Sequence, residues 1–322
     1  MKKILTGVKP TGDQMHLGNL LGAVLPFKRL AEKNDSAIFI ADLHALTSVK
    51  NAADLKRNTH EMALTYFSIF GIDTPIHIFR QSDIHLIPKL NWILNNVTPY
   101  SLMLRAHSFK DAEAKEIDIN MGTFNYPILM AADILAYDTD VVPVGQDQKQ
   151  HLEMTRDIAK AFNKTYKTDI FKLPSEYIEP SVATLPGIDG RKMSKSYGNF
   201  IGLFDDPKTL KKKVMSIVTD SKGVDDIKNP DECNVFALIR TFALQERRES
   251  IRAKYLTPGY GYGHAKLELL EILTEYLRPY HDARAMLEKR PELIEAKLQE
   301  GARIMNARIE AKMREVKDVV GL

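Results

Sequence analysis

Two lysines three residues apart, Lys192 and Lys195, lie in Lys192-Met193-Ser194-Lys195-Ser196, with glycines nearby at 187, 190 and 198. On a loop with glycine hinges, two such mobile point charges can be held against one polyphosphate. Far upstream, the run Gly7-Val8-Lys9-Pro10-Thr11-Gly12-Asp13-Gln14-Met15-His16-Leu17-Gly18-Asn19 reads as a tight turn feeding a helix that begins near Gln14 to His16. A helix N-terminus presents unpaired N–H groups and partial positive charge, so it accepts anions. In this turn Pro10 and Gly12 make the tight bend. Gly18 lets a nucleotide come close to the backbone, His16 can donate to a phosphate, and Asn19 can bond a nucleotide group. Taken singly, one segment suits a solvated basic loop and the other an ordinary strand-to-helix connection. Together they suit a reaction on the α-phosphate of ATP with pyrophosphate leaving.

A third segment, Tyr126-Pro127-Ile128-Leu129-Met130-Ala131-Ala132-Asp133-Ile134-Leu135, sets one carboxylate among apolar residues. At helical spacing Tyr126, Met130 and Asp133 share a narrow arc, with Pro127 expected in the first helical turn. A buried carboxylate needs a partner. That partner is either a neighbouring protein group or a ligand N–H; an aromatic ring, a thioether and an acceptor together suit an indole. Asp42-Leu43-His44 follows a predicted strand, which gives His44 a place in the pocket.

Elements that could position these residues are visible in the pattern. Ile4 to Val8, Ala37 to Ala41, Ile76 to Phe79 and Val141 to Val144 read as strands, and Asp54 to Phe70 and Gln146 to Phe162 as helices. Strand–helix alternation predicts an α/β fold, a Rossmann-like parallel sheet that binds ligands beyond the carboxyl ends of its strands. From about Asp205 onward strand signals fade. Lys208 to Ile217, Asn234 to Arg248, Tyr262 to Arg284 and Pro291 to Val316 read as helices, broken at Pro207, Pro230 and Pro258. The expected organisation is a catalytic domain over 1–200, with a helical insertion at about 91–125, and a C-terminal α-helical domain over 201–322 whose last helix can pack back on the first. Trp92, the only tryptophan, is expected to serve packing and not chemistry.

The chain has 322 residues, 44% apolar and 27% charged, with a net charge of +3. Nucleic-acid binding must therefore come from a local patch. One cysteine, Cys233, excludes an intramolecular disulfide and a cysteine-cluster zinc site. No apolar run approaches a membrane span, and the N-terminus is too soon broken for a signal peptide, so a cytoplasmic protein without a membrane partner is expected.

On these motifs the chain resembles the class I aminoacyl-tRNA synthetases: His16-Leu17-Gly18-Asn19 looks like the family's "HIGH" element, and 192–196 is its "KMSKS" element without substitution. With Tyr126 to Asp133 and Val142-Pro143-Val144-Gly145-Gln146-Asp147-Gln148-Lys149-Gln150-His151, the resemblance sharpens to bacterial tryptophanyl-tRNA synthetases. It implies tryptophan activation by ATP and Mg2+, transfer to tRNA(Trp), and a homodimer. Asp133 would read the indole N–H, with Tyr126, Met130, His44, Gln148 and Gly7 lining the tryptophan site. Lys9, Pro10, Thr11, Gly18, Asn19, Gly145, Gln146, Asp147, Lys192, Met193, Ser194, Lys195 and Ser196 would hold ATP, with Lys192, Lys195 and His16 catalytic. The helical domain would meet the anticodon arm, with Lys211-Lys212-Lys213 and Arg247-Arg248 as basic candidates.

The chain departs from that pattern in places. Gln146 stands where Glu is common, Lys9 where some members have Gln, and His16 where some have Thr. A mobile-insertion lysine maps onto Ala112, leaving Lys110 and Lys115 as neighbouring candidates. Three rival readings share these features: a tyrosyl-tRNA synthetase, a small-molecule nucleotidyltransferase, and a non-catalytic RNA-binding paralogue.

Overall fold

The computed structural model describes residues 1–12, 14–106, 120–145, 148–177 and 185–322. Gln146, Asp147, Ala112, Lys110 and Lys115 lie outside the described residues. The chain forms two compact units. One comprises Met1–Asp13, Phe27–Glu179 and Met286–Leu322, and the other Gln14–Pro26 and Pro180–Ala285.

The first unit is built on five parallel strands: β1 (Lys3–Val8), β2 (Asp35–Ile40), β3 (His77–Arg80), β4 (Val141–Pro143) and β5 (Ser175–Tyr177). Their order is β3-β2-β1-β4-β5. Succession runs outward from β1 to β3 and then resumes at β4 on the other side, so the topological switch point lies between β1 and β4. Ser36 to Ile40 are all buried, as an unbroken apolar strand covered on both faces should be. Because every strand runs the same way, the segments after β1, β2, β3 and β4 leave the sheet at one end.

Local signals set the helices of this unit. Ala52–Phe70 starts at Asn51, whose side chain accepts from the Asp54 amide at 3.1 Å, and stops at Gly71 with φ of 88°. Met121–Leu135 starts at Asn120, whose side chain accepts from Thr123 N at 3.0 Å. Pro127 therefore sits inside this helix rather than in its first turn.

The last helix, Pro291–Val320, packs against β3. A Cβ at Gly301 would stand 2.3 Å from the Ile78 carbonyl oxygen, so only glycine permits this approach. Arg80 bonds both Asp83 and Glu295, fixing the same helix beside the segment that leaves β3. Buried Lys312 is held by the Ile170 carbonyl at 3.0 Å and by Asp138 and Glu315 at 2.7 Å each. Trp92 is 70% exposed, and Tyr100, Leu104 and Met121 are exposed too, so the large apolar groups of this stretch are not all core.

The second unit is helical, and among the described residues it carries isolated bridges instead of a sheet. Its helices are Leu17–Asn19, running on into the wide turn Leu20–Val24, then Pro207–Met215, Asn234–Phe242 and Gln245–Tyr255, with Tyr262–Glu288 beginning here. Asp206 caps Pro207–Met215 by accepting from Lys208 and Thr209 amides, with Pro207 as its first residue. Among the described residues no helix is long and apolar enough to cross a membrane.

Candidate active site

The candidate residues fall into two groups, one in each unit. In the first unit, helix Met121–Leu135 brings Asp133 to 2% exposure, with Tyr126 and Met130 half-buried on the same arc. Asp133 finds its donor at the end of β3: Gln81 Nε2 donates to Asp133 Oδ2 at 2.8 Å. Gln81 is 1% exposed, and its amide is fully engaged. Nε2 also lies 2.9 Å from His44 Nδ1, and Oε1 accepts the His44 backbone N–H at 3.3 Å. Burial holds His44 down to about 4, against a weaker opposing pull from its Gln81 bond. His44 is therefore neutral at pH 7, and its 3.7 Å approach to Asp133 is not an ion pair.

Burial pushes the Asp133 carboxyl well above the usual carboxylate range. The Gln81 hydrogen bond pulls it partly back, and the nearby Asp42 charge adds to the rise. One carboxylate oxygen is thus tied to Gln81, while the carboxyl as a whole retains capacity to accept from a ligand N–H. The Tyr126 ring stands edge-on to His44 at 4.4 Å and lies 5.7 Å from His151, whose Nδ1 is 3.0 Å from Gln148 Oε1. The rings of His44, Tyr126 and His151 thus follow one another beside the Asp133–Gln81–His44 group.

Neighbouring segments complete this end of the sheet. Asp42, buried after β2, accepts from the Leu43 and Ser82 amides and from the Ser82 hydroxyl, which joins the exits of β2 and β3. Lys9, after β1, donates to Thr47 Oγ1 at 2.9 Å, and Thr47 in turn donates to the His44 carbonyl. Burial, then the charge of Lys50, lowers the Lys9 ammonium below its ordinary value. Pro10 is buried, whereas Thr11 and Gly145 are exposed. Gly7 is exposed too, and a Cβ there would strike the Phe39 ring, so packing alone already demands glycine at 7.

In the second unit, His16 and 192–196 are organised by a shared backbone frame. Leu17 N donates to Ile201 O at 3.0 Å and Leu203 N to Met15 O at 2.8 Å, making His16 and Gly202 antiparallel partners. His16 caps the short helix: its Nδ1 accepts from Asn19 N at 3.2 Å, and the Asn19 side chain accepts from His16 N at 3.2 Å. Burial, then the charge of Lys195, lowers His16 to about 4. His16 is accordingly neutral, protonated on Nε2, and offers one N–H donor. A Cβ at Gly18 would lie 3.0 Å from the His16 ring, so this glycine also keeps the imidazole in place.

Across 192–196, Met193 is buried and its N–H bonds Leu185 O at 2.9 Å, anchoring a loop on which Lys192 and Ser196 are exposed. Ser194 Oγ accepts from Ser196 N and caps the single turn Lys195–Tyr197, which Gly198 ends with φ of 62°. Asn199 ties the loop together at 2% exposure. It donates to Lys192 O at 3.1 Å and to Asp189 Oδ1 at 2.6 Å, and accepts from Ser194 N at 2.8 Å.

The sequence pattern did not single out Gln81 or Asn199, whose bonds hold Asp133 and the 192–196 loop. The only available signal for Gln81 was its place just after a predicted strand.

A family model for class I tRNA synthetases of the tryptophan and tyrosine type matches residues 1–278. The chain belongs to that family. It is 45% identical to the tryptophan–tRNA ligase of Fusobacterium nucleatum, across 100% of this chain and 98% of that one. The crystal structure of tryptophanyl-tRNA synthetase from Campylobacter jejuni, with ADP and tryptophan, superposes with a TM-score of 0.94 at 38% identity, covering 99% and 100% of the two chains. The enzyme from Mycoplasma pneumoniae gives 0.78 at 28% identity, over 100% and 98%. Within the family, then, the chain groups with the tryptophan–tRNA ligases.

Proposed function

We propose that this chain activates L-tryptophan with ATP, giving tryptophanyl-adenylate and pyrophosphate, and passes the tryptophanyl group to tRNA(Trp). The observation that carries the choice of amino acid is Asp133, buried among apolar groups and tied to Gln81 through one oxygen. An indole has one polar atom, a donor, and a buried acceptor rejects analogues lacking that donor by roughly four to five orders of magnitude. Such discrimination needs no second, editing site. Tyr126, Met130, His44, Gly7 and Gln148 form the rest of the tryptophan site in this reading.

The first step needs no general base, because an amino-acid carboxylate is ionised at neutral pH. Its oxygen attacks the α-phosphorus in line, the bond to the β-phosphate oxygen breaks, and pyrophosphate leaves with the electron pair. Catalysis is then positioning and charge stabilisation. Lys192 and Lys195 oppose the charge growing on pyrophosphate, while neutral His16 donates through Nε2–H. Lys9, Pro10, Thr11, Gly18, Asn19, Gly145, Gln146, Asp147, Met193, Ser194 and Ser196 complete the ATP site. Mg2+ enters as part of the MgATP substrate, held chiefly by the phosphates; the described residues contain no cluster of three or more His, Cys, Asp or Glu to cage it. In the second step a tRNA ribose hydroxyl attacks the acyl carbonyl and AMP departs.

The catalytic part is assigned to about 1–200 and tRNA anticodon-arm binding to the helices of 201–322. Arg247 is already paired with Glu271 and Glu275, which favours exposed Lys211 and Lys212 as phosphate contacts. Exposed Trp92, Tyr100, Leu104 and Met121 support a homodimer formed through this region. Sedimentation would show a dimer that Trp92→Ser weakens; a monomeric wild type would refute it. The expected place of action is the cytoplasm. Amino-acid-dependent ATP–pyrophosphate exchange tests the whole reading. Exchange with tryptophan and not tyrosine supports it, exchange with tyrosine moves the chain to the sister activity, and no exchange with either removes the ligase assignment.

A further inference from the structure

The run Lys211-Lys212-Lys213 invites a single role, but its members differ. Lys211 and Lys212 are exposed, whereas Lys213 is turned back on its own unit. Its Nζ lies 2.8 Å and 3.1 Å from the two carboxylate oxygens of Asp205, whose side chain is 4% exposed. The same ammonium stands 4.6 Å above the Phe200 ring.

Both contacts lead to His16. Asp205 Oδ2 accepts the Gly202 N–H at 2.8 Å, and Gly202 is the antiparallel partner of His16. A Cβ on Gly202 would meet Asp205 Oδ1 at 2.7 Å and Gln14 Oε1 at 2.7 Å, so this carboxylate lies directly against the bridged residue. The Phe200 ring lies 5.7 Å from the imidazole of His16. The segment 201–203 holds the backbone on both sides of His16, through Leu17 N to Ile201 O and Leu203 N to Met15 O.

We propose that Lys213, acting through Asp205 and Phe200, is a positioning residue for His16 in adenylation and not a tRNA contact. The proposal rests on the adenylation reading above. Near-buried Asp205 would stay uncompensated without its lysine, and a carboxylate left unpaired there relaxes toward water, taking Gly202 with it. The Nε2–H of His16 then loses its fixed direction toward the phosphates. Small displacements of this kind cost roughly tenfold to a hundredfold in rate.

The test uses the full chain, with Lys213→Met, Lys213→Arg and Asp205→Asn compared in tryptophan-dependent exchange and in tRNA charging. Lys213→Met removes the charge and keeps the stem over Phe200. The expected result is a loss of about tenfold or more in kcat/KM for ATP, with KM for tryptophan and for tRNA unchanged and substantial recovery in Lys213→Arg. Coupling supplies the readout that a merely structural role would not move. In a His16→Ala background Lys213→Met should cost little more, because the group it positions is already gone.

A raised KM for tRNA with normal exchange would overturn the proposal, as would an additive loss in the His16→Ala background. If Lys213→Met does not fold, Asp205→Asn carries the same comparison with shape preserved. Absence of exchange in the wild type would instead strike the adenylation reading.

Discussion

Replacing Gln81 by leucine removes the donor to the buried Asp133 carboxyl while keeping the side chain's bulk. Asp133 Oδ2 then loses its 2.8 Å partner, and the His44 amide loses its acceptor. A hydrogen bond to a charged group contributes about 1.5–3 kcal/mol. At 1.36 kcal/mol per factor of ten, kcat/KM for tryptophan should fall by about ten- to a hundredfold at pH 7. The pH dependence gives a sharper sign. Burial raises the Asp133 carboxyl and Gln81 opposes that rise, so without Gln81 the carboxyl holds its proton to higher pH. A protonated carboxyl is a poorer acceptor, so activity falls as pH drops through its pKa, and the acid limb should move to higher pH in Gln81→Leu. Tryptophan-dependent exchange measured across pH, beside a thermal melt to confirm folding, reads both effects. A folded Gln81→Leu protein with wild-type kcat/KM and an unmoved acid limb would refute the reasoning.

Three further outcomes are expected. Because His16 sits near 4 and acts as a neutral donor, exchange should show no limb from it between pH 5 and 8, and His16→Gln should retain more activity than His16→Ala; equal losses in the two variants would contradict a neutral N–H donor. A Cβ at 187 would stand 2.4 Å from the Asn199 side chain, so Gly187→Ala should displace the residue that ties Lys192 and Ser194 and lower kcat about tenfold or more, with KM for tryptophan unchanged. At Gly301 the obstacle is strand backbone, which cannot yield, so Gly301→Ala should cost about 1–3 kcal/mol by overpacking, despite alanine's better helix propensity; a melting temperature at or above wild type would count against the close contact with β3.

Much of the fold was legible because burial on both faces leaves unbroken apolar runs. Ala37 to Ala41 and Ile76 to Phe79 announced β2 and β3 within one or two residues. β5 escaped because Ser175-Glu176-Tyr177 is short, polar and never fully buried. Helix Met121–Leu135 began earlier than the pattern suggested, since Asn120 caps an exposed opening turn containing Gly122 and no apolar stripe. The stretch Asn234 to Arg248 proved to be two helices, parted at Ala243 and Leu244. Apolar type alone does not tell an interior from an uncovered face, and Trp92 lies on the latter.

In the site, residues that work by type and spacing could be read from the chain, while those that work by juxtaposition could not. Lys192, Lys195, His16 and Asp133 are candidates of the first kind, proposed from type and spacing. Gln81 meets Asp133 across 52 positions and His44 across 37, and no local pattern encodes either meeting. Lys213 looked like one third of a basic run until Asp205 appeared beside it.

The most direct test of the account replaces the indole N–H itself. Exchange should be measured with tryptophan and with its benzothiophene analogue, where sulfur stands for N–H, on wild type and Asp133→Asn. If Asp133 reads that donor, wild type should disfavour the analogue by roughly four orders of magnitude, and Asp133→Asn should lose most of that preference by weakening on tryptophan. Comparable use of both amino acids by the wild type, or an undiminished preference in Asp133→Asn, would contradict the claim.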